Sequence, residues 1–183
     1  MNPATADILA VVTMHPGRPG LVNPALIEYL RSVGIPLERT LWNHQVNRYD
    51  ATVTFNHAIA AALATPHAHF LFADFDMAPS PQRTAAFWEA TADVVGARFE
   101  AGDHAGWEAG QIHSGFWRAS RKALEGVPSR PGRPRWFEWA YADDGGRHAG
   151  CHCVAFCQRL LSAGCTVEVA GEVGHLTADR RGY

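Results

Sequence analysis

Lysine is nearly absent from this 183-residue chain: Lys122 stands alone, and arginine supplies the rest of the sixteen basic residues. Eighteen acidic residues leave a formal charge of −2. Bulk charge therefore gives no argument for a nucleic-acid partner, although a local basic strip would still supply phosphate contacts. The arginine bias, together with abundant alanine and glycine, matches a GC-rich coding source and needs no mechanistic explanation. Cysteine is missing from the first 150 residues, and the four present, Cys151, Cys153, Cys157 and Cys165, fall in one short stretch. They do not make a disulfide framework; in a reducing compartment they are thiols or metal ligands first. Long apolar runs are missing too. No stretch reaches the ~20 apolar residues of a membrane span, and residues 1–7 lack a basic or apolar leader pattern, so a cytoplasmic location without a membrane partner is expected. Low-complexity tracts are lacking as well, and 47% apolar against 19% charged residues is a folding composition. A chain of this length fits one domain, residues 1–183, which buries roughly 70% of its unfolded surface.

Strand-like and helix-like segments alternate, which predicts an α/β domain of three layers with a mainly parallel central sheet. Residues 8–13 form an apolar run closed by His15-Pro16-Gly17, as in a buried first strand. Residues 24–32 carry Leu26, Ile27 and Leu30 at helical spacing, with Gly34 and Pro36 as the stop. A second strand is expected over residues 38–42. A helix is expected over 56–64, with Thr54 or Asn56 as cap and Pro66 as terminator. Residues 69–73 read as a third strand that runs directly into Asp74-Phe75-Asp76. Ser80 is a candidate cap for a helix over 81–91, and 93–97 a fourth strand. Residues 102–117 are rich in glycine and aromatics, 119–124 read as a short helix and 129–134 as a loop. A closing helix over 152–163 stops at Gly164, and 166–170 alternate like a strand.

In open α/β sheets, ligands bind beyond the carboxyl ends of strands, so Asp74 and Asp76 face the expected crevice. Two carboxylates one residue apart reach a common hard cation directly or through water, and that cation can bridge them to phosphate oxygens. The bland alternative is a solvated turn or a helix-capping acid. The apolar run before the pair and Met77-Ala78-Pro79 behind it favour the cation reading.

These residues carry a resemblance to the GT-A glycosyltransferases. Phe70-Leu71-Phe72-Ala73-Asp74-Phe75-Asp76-Met77-Ala78-Pro79-Ser80-Pro81 resembles that family's strand, DxD loop and following helix. Arg48 and Phe55-Asn56-His57-Ala58-Ile59 resemble the segment before it, and Ser114-Gly115-Phe116-Trp117-Arg118 the segment bordering the sugar. Phe156-Cys157-Gln158-Arg159 through Gly164 to Gly174-His175 is similar to the closing helix, strand and metal-binding histidine. The resemblance implies a metal-dependent transferase with a GT-A (Rossmann-like) fold, using Mn²⁺ or Mg²⁺ held by Asp74, Asp76 and His175. It further implies a nucleotide-sugar donor, such as a UDP-sugar, near Thr13, Arg48, Asn56, Asp74 and Asp76. The acceptor, a carbohydrate or a modified base in DNA as for the compact enzymes of some phages, would meet Ser114, Gly115, Trp117, Arg118 and Trp136. Where the family carries an acidic pair at the start of the closing helix, this chain has Cys151-His152. That leaves His152 as the candidate base, with Asp144 and Asp143 as the alternatives.

Three other readings remain open on the sequence. Cys151, Cys153 and Cys157 with His148 or His152 have zinc-ligand atoms without the paired knuckles of common structural sites, and buried small hydrophobes are the plainer account. The basic residues from Arg118 to Arg135, interleaved with Trp117, Trp136, Phe137, Trp139 and Tyr141, are either a solvated face or a stacking surface for sugars or bases. The rival functions are a non-catalytic nucleotide- or zinc-binding module and a DxD phosphatase of the haloacid dehalogenase type. The phosphatase expects threonine or valine where Ala78 stands.

Overall fold

The structure, a computed structural model, describes residues 7–15, 20–47, 50–99, 111–141 and 148–175. Its centre is a seven-stranded sheet in the order β2-β1-β3-β6-β5-β9-β4. The strands are β1 (Ile8–Thr13), β2 (Thr40–Asn43), β3 (His69–Asp74), β4 (Met77–Ala78), β5 (Val94–Phe99), β6 (Phe116–Ser120) and β9 (Val167–His175). A separate ribbon pairs β7 (Ala140–Tyr141) with β8 (His148–Gly150). Strands β1, β2, β3, β5 and β9 run one way, whereas β6, paired antiparallel to β3 and β5, and β4, antiparallel to β9, run the other. The fold is thus mixed α/β with a mainly parallel sheet.

Alternation along the strands creates two cores. Leu9, Val11, Phe70, Phe72, Trp117 and Ala119 face one side, where α2 (Ala51–Leu63), α4 (Arg121–Gly126) and α5 (His152–Ser162) pack with Ile59, Leu124 and Phe156. Ile8, Ala10, Val12, Leu71, Ala73 and Phe116 face the other, against α1 (Pro24–Ser32) and α3 (Ala85–Glu89), which contribute Leu26, Leu30 and Phe87. Period-2 side chains on a sheet buried on both faces read as continuous apolar runs, as in β1 and β3.

Helix boundaries follow local hydrogen bonding. Asn23 caps α1 by accepting from the Ala25 amide at 3.0 Å, with Pro24 at the first helical position. α2 begins earlier than expected: Asp50, rather than Thr54 or Asn56, accepts from the Thr52 amide at 2.9 Å. The helix expected over 81–91 shrinks to the five residues of α3, because the Thr84 hydroxyl donates back to the Ser80 carbonyl and holds 80–84 as a turn. Ser120 caps α4 through the Ala123 amide. Residues 116–120, spanning the end of the glycine-rich aromatic stretch and the start of the expected helix over 119–124, form the strand β6, and α4 begins only at Arg121.

The strand β9 is longer than expected and bulged. Its register against β5 steps from Gly96 opposite Val169 to Arg98 opposite Glu172, so β9 carries one extra residue between these pairs. Gly171 sits there with φ +70°, and a Cβ on it would lie 3.0 Å from the Arg83 carbonyl oxygen. The Glu172 amide donates to that same oxygen at 3.0 Å, and the side chains of Arg83 and Glu172 form an ion pair at 2.7 Å. A bulge reverses the alternation beyond it, and beyond this one the end of β9 pairs with β4.

Candidate active site

The carboxyl ends of β1 and β3 and the start of β6 come together at one edge of the sheet. Thr13 lies opposite both Asn43 and Asp74, and Phe116, one residue after Gly115, lies opposite Ala73. The loop carrying the two aspartates is fixed by its backbone. The Asp74 amide donates to the Gly115 carbonyl at 2.8 Å, and the Phe75 amide to the Thr13 carbonyl at 3.0 Å. From the other side, the Asn23 amide donates to the Phe75 carbonyl at 2.7 Å, and its side-chain amide to the Met77 carbonyl at 2.9 Å. Asn23 therefore couples the start of α1 to the acidic loop, a role its sequence position did not reveal. The available signal was only an Asn-Pro pair at a helix start.

Directly after the loop, β4 pairs with the end of β9, placing Met77 opposite His175. The His175 Nε2 comes within 3.2 Å of Asp76 Oδ2, across 99 positions of sequence. Asp74 stands behind this pair. Burial of its carboxyl, reinforced by the negative charge of Asp76 and opposed by His175, pushes its pKa up from an ordinary 3.8 to about 8. Gly115 makes room for it: a Cβ there would lie 3.2 Å from Asp74 Oδ2, 3.0 Å from Phe99 Cζ and 3.3 Å from Met77 Cε. His113, which the sequence reading passed over, accepts the Gly115 amide at Nδ1 (3.1 Å) and sets its ring edge-on to Phe99, whose ring lies 5.6 Å from that of His175.

In donor chemistry Asp74, Asp76 and His175 fit a divalent ion of the Mn²⁺ or Mg²⁺ kind. They are not drawn into a closed set. Among the described residues, the three-ligand group whose donor atoms all lie within 4.8 Å of one another is Cys151, His152 and Cys153.

That second group begins α5. Cys151 is the residue before the helix, with His152 and Cys153 in its first turn. The Cys151 thiol is pushed down chiefly by a hydrogen bond from the Cys153 thiol, with the His152 ring adding to the effect, and Cys153 is correspondingly pushed up. The His152 ring is buried, stacked on Phe55 at 5.5 Å and edge-on to Trp139 at 4.6 Å. Its Nε2 lies 3.4 Å from Ser114 Oγ and its Nδ1 3.9 Å from Cys151 Sγ. Enclosed among Phe55, Phe137 and Trp139, with Ser114 and Cys151 beside its two nitrogens, the ring is not placed as an exposed base. Cys157 receives the Ile112 amide at its sulfur (3.4 Å) and is a core residue, as is Phe156 beside it.

The remaining predicted residues separate. Ser114 and Gly115 border the acidic loop, and Thr13 lies beside Asp74. Asn56 is a clamp: its amide donates to the Thr52 and Phe137 carbonyls at 2.7 Å each and accepts from the Trp136 and Phe137 amides at 3.1 and 3.2 Å. With all four bonds spent on the scaffold, a donor contact by Asn56 is not supported. Trp117 is 1% exposed, stacked on Phe72 at 4.1 Å, and Trp136 is 7% exposed with its indole donating to the Leu124 carbonyl. Neither presents a face to an acceptor. Arg118 donates to the Phe87 and Ala90 carbonyls, beside a cavity of about 180 Å³ that also borders Ile8, His69 and Trp88, toward the amino ends of β1 and β3. The basic segment is largely tied to the scaffold: Arg121 donates to the Leu63 and His67 carbonyls and Arg135 to that of Val127, while the exposed Arg130 and Arg133 converge with Arg159 on Glu138. Arg48, Asp143 and Asp144 lie outside the described residues. Among the described residues, no helix is long and apolar enough to cross a membrane.

No protein-family model matches the chain, and no curated protein matches it. Among solved structures it is similar to A197 from STIV, at 17% identity and a TM-score of 0.48, covering 91% of this chain and 80% of that one.

Proposed function

We propose that this chain is a metal-dependent glycosyltransferase of the GT-A type, moving a sugar from a nucleotide-diphosphate donor to an acceptor hydroxyl. One observation carries the reading: Asp76 and His175, from opposite halves of the chain, meet at 3.2 Å beside Asp74 at the carboxyl end of β3. A three-layer GT-A arrangement is consistent with the helices packed on both faces of a mainly parallel sheet.

Asp76 and His175 would hold the divalent ion directly, with Asp74 contributing its charge from behind, directly or through water. A bound ion of this kind neutralises the diphosphate and makes it a better leaving group. The protein's own part is orientation. Asn23, Thr13 and Gly115 fix the loop backbone so that both carboxylates are presented without reorganisation. Ser114 and Gly115 border the sugar position. Because the His152 ring is buried among Phe55, Phe137 and Trp139, we assign the base to the other candidate, Asp144 with Asp143 beside it, taking the acceptor's proton as the hydroxyl oxygen attacks the anomeric carbon and the nucleotide diphosphate departs. With Trp117, Trp136 and Arg118 built into the scaffold, the acceptor, carbohydrate or DNA, is met by other surfaces.

The test is release of nucleotide diphosphate from UDP-sugars in the presence of Mn²⁺, Mg²⁺ or chelator. Metal-dependent release, lost in Asp76→Asn and in His175→Ala while both variants stay folded, supports the reading. Release that ignores metal, or survives Asp76→Asn, overturns it.

A further inference from the structure

We propose that Cys151, His152 and Cys153 form a second metal site, selective for a thiophilic divalent ion of the Zn²⁺ class and distinct from the carboxylate site. The inference does not rest on sugar transfer. Its ground is geometry. A tetrahedral ion with metal–sulfur bonds of about 2.3 Å and metal–nitrogen bonds of about 2.0 Å holds its ligand atoms about 3.5–3.8 Å apart. Cys151 Sγ and His152 Nδ1 are already 3.9 Å apart, and all three ligand atoms lie within 4.8 Å of one another. Closing such a group onto one ion needs side-chain movements of an ångström or less.

The surroundings suit ligation. Metal-bound histidines usually donate their other ring N–H to a neighbouring acceptor, which fixes both tautomer and orientation. Here Nε2 faces Ser114 Oγ at 3.4 Å; in the Nε2–H tautomer that contact is the donated bond, and the Nδ1 lone pair turns toward Cys151. Phe55, Phe137 and Trp139 enclose the ring and hold its plane. Cys153 is fully buried, whereas Cys151 is only half-buried and gives the ion a way in. Two sulfurs and one imidazole select against Mg²⁺ and Mn²⁺, which prefer oxygen, so the two sites divide metals by ligand softness. Three protein ligands are the count of an open zinc site rather than a closed structural one.

The site would also brace the acidic loop. Ser114, the partner of His152, adjoins Gly115, which lies against Asp74.

The experiment is titration of the reduced, metal-stripped protein with Co²⁺, whose thiolate coordination gives a charge-transfer band in the near ultraviolet. We expect one equivalent to develop that band, Zn²⁺ to bleach it stoichiometrically, and Mg²⁺ at a hundredfold excess to leave it unchanged. Cys151→Ser, a substitution at a half-exposed position that leaves the core intact, should weaken Co²⁺ binding at least tenfold, and Cys153→Ser likewise. Asp76→Asn and Cys165→Ser should retain the band. A folded protein without a thiolate band, a band that survives Cys151→Ser, or one that vanishes in Asp76→Asn would each overturn the assignment.

Discussion

Replacing Asp74 by asparagine is expected to stabilise the metal-free protein while crippling its metal binding. The carboxyl titrates at about 8 in the fold against 3.8 ordinarily, because it is desolvated and faces Asp76. The folded state therefore holds its proton more tightly than the unfolded chain, and stability falls as pH rises from the lower value to the higher one, then levels off. At about 1.4 kcal/mol per pH unit, the span from pH 5 to pH 8 sets a ceiling of about 4 kcal/mol. Residual solvent access around this half-buried residue lowers the measurable effect to roughly 1–2 kcal/mol. Asparagine keeps the shape and drops the charge, so the variant should lack this pH dependence.

The assay is urea denaturation with chelator present, comparing native and Asp74→Asn proteins at several pH values between 5 and 9. The native protein should lose stability relative to the variant up to pH 8 and no further. Adding Mg²⁺ at pH 8 should then restore the native protein by about 2.7 kcal/mol at a hundredfold excess over Kd, with little effect on the variant. Parallel pH profiles for the two proteins would show that Asp74 is not held protonated by its surroundings. Equal stabilisation by Mg²⁺ would remove it from the metal site.

Two further substitutions probe the frame around the acidic loop. Gly115→Ala drives a methyl group against Phe99, Asp74 and Met77, so it should cost about 1–3 kcal/mol and weaken Mg²⁺ binding; a calorimetric titration with unchanged affinity would show that this contact does not shape the site. Asn23→Ala removes the α1 cap and the bond to Met77, together about 2 kcal/mol. Asn23→Asp keeps the cap but cannot donate to the Met77 carbonyl, so thermal denaturation should place it between the other two; an aspartate variant as stable as the native protein would show the loop tether to be negligible.

The elements legible in the sequence are those whose local and tertiary demands agree. β1 and β3 are buried on both faces, so their apolar runs are continuous, and α1 carries its cap, its proline and its glycine stop where a helix needs them. β6 was misread because Arg118 interrupts its apolar pattern, and only the Phe87 and Ala90 carbonyls on α3 and just after it explain why a guanidinium belongs in a central strand. The start of α2 was misplaced because Thr52, Val53 and Thr54 are poor helix formers, overridden here by the Asp50 cap and by burial. Trp117 and Trp136 looked like a binding surface because composition cannot separate an aromatic that stacks on a ligand from one that stacks on Phe72. Asp74 and Asp76 were legible from the strand before them. That His175 reaches Asp76 was readable only through family spacing, since the contact depends on a bulge that one glycine permits.

That dependence ties the site to closure of the fold. Asp74 and Asp76 leave the third strand, but their histidine arrives on the last one, and the two meet only because the two-residue strand β4 pairs with β9. The end of β9 is paired on one side with β5 as far as Val173 and on the other with β4 at Gly174 and His175. The Asp76–His175 contact and the packing of Val173 in the core add to this. An ion bridging Asp76 and His175 would bind the closed arrangement and not the open one, and ligand that binds one state preferentially draws the equilibrium toward it. On the proposed reading, metal bound between Asp76 and His175 would therefore reinforce the docked end of β9.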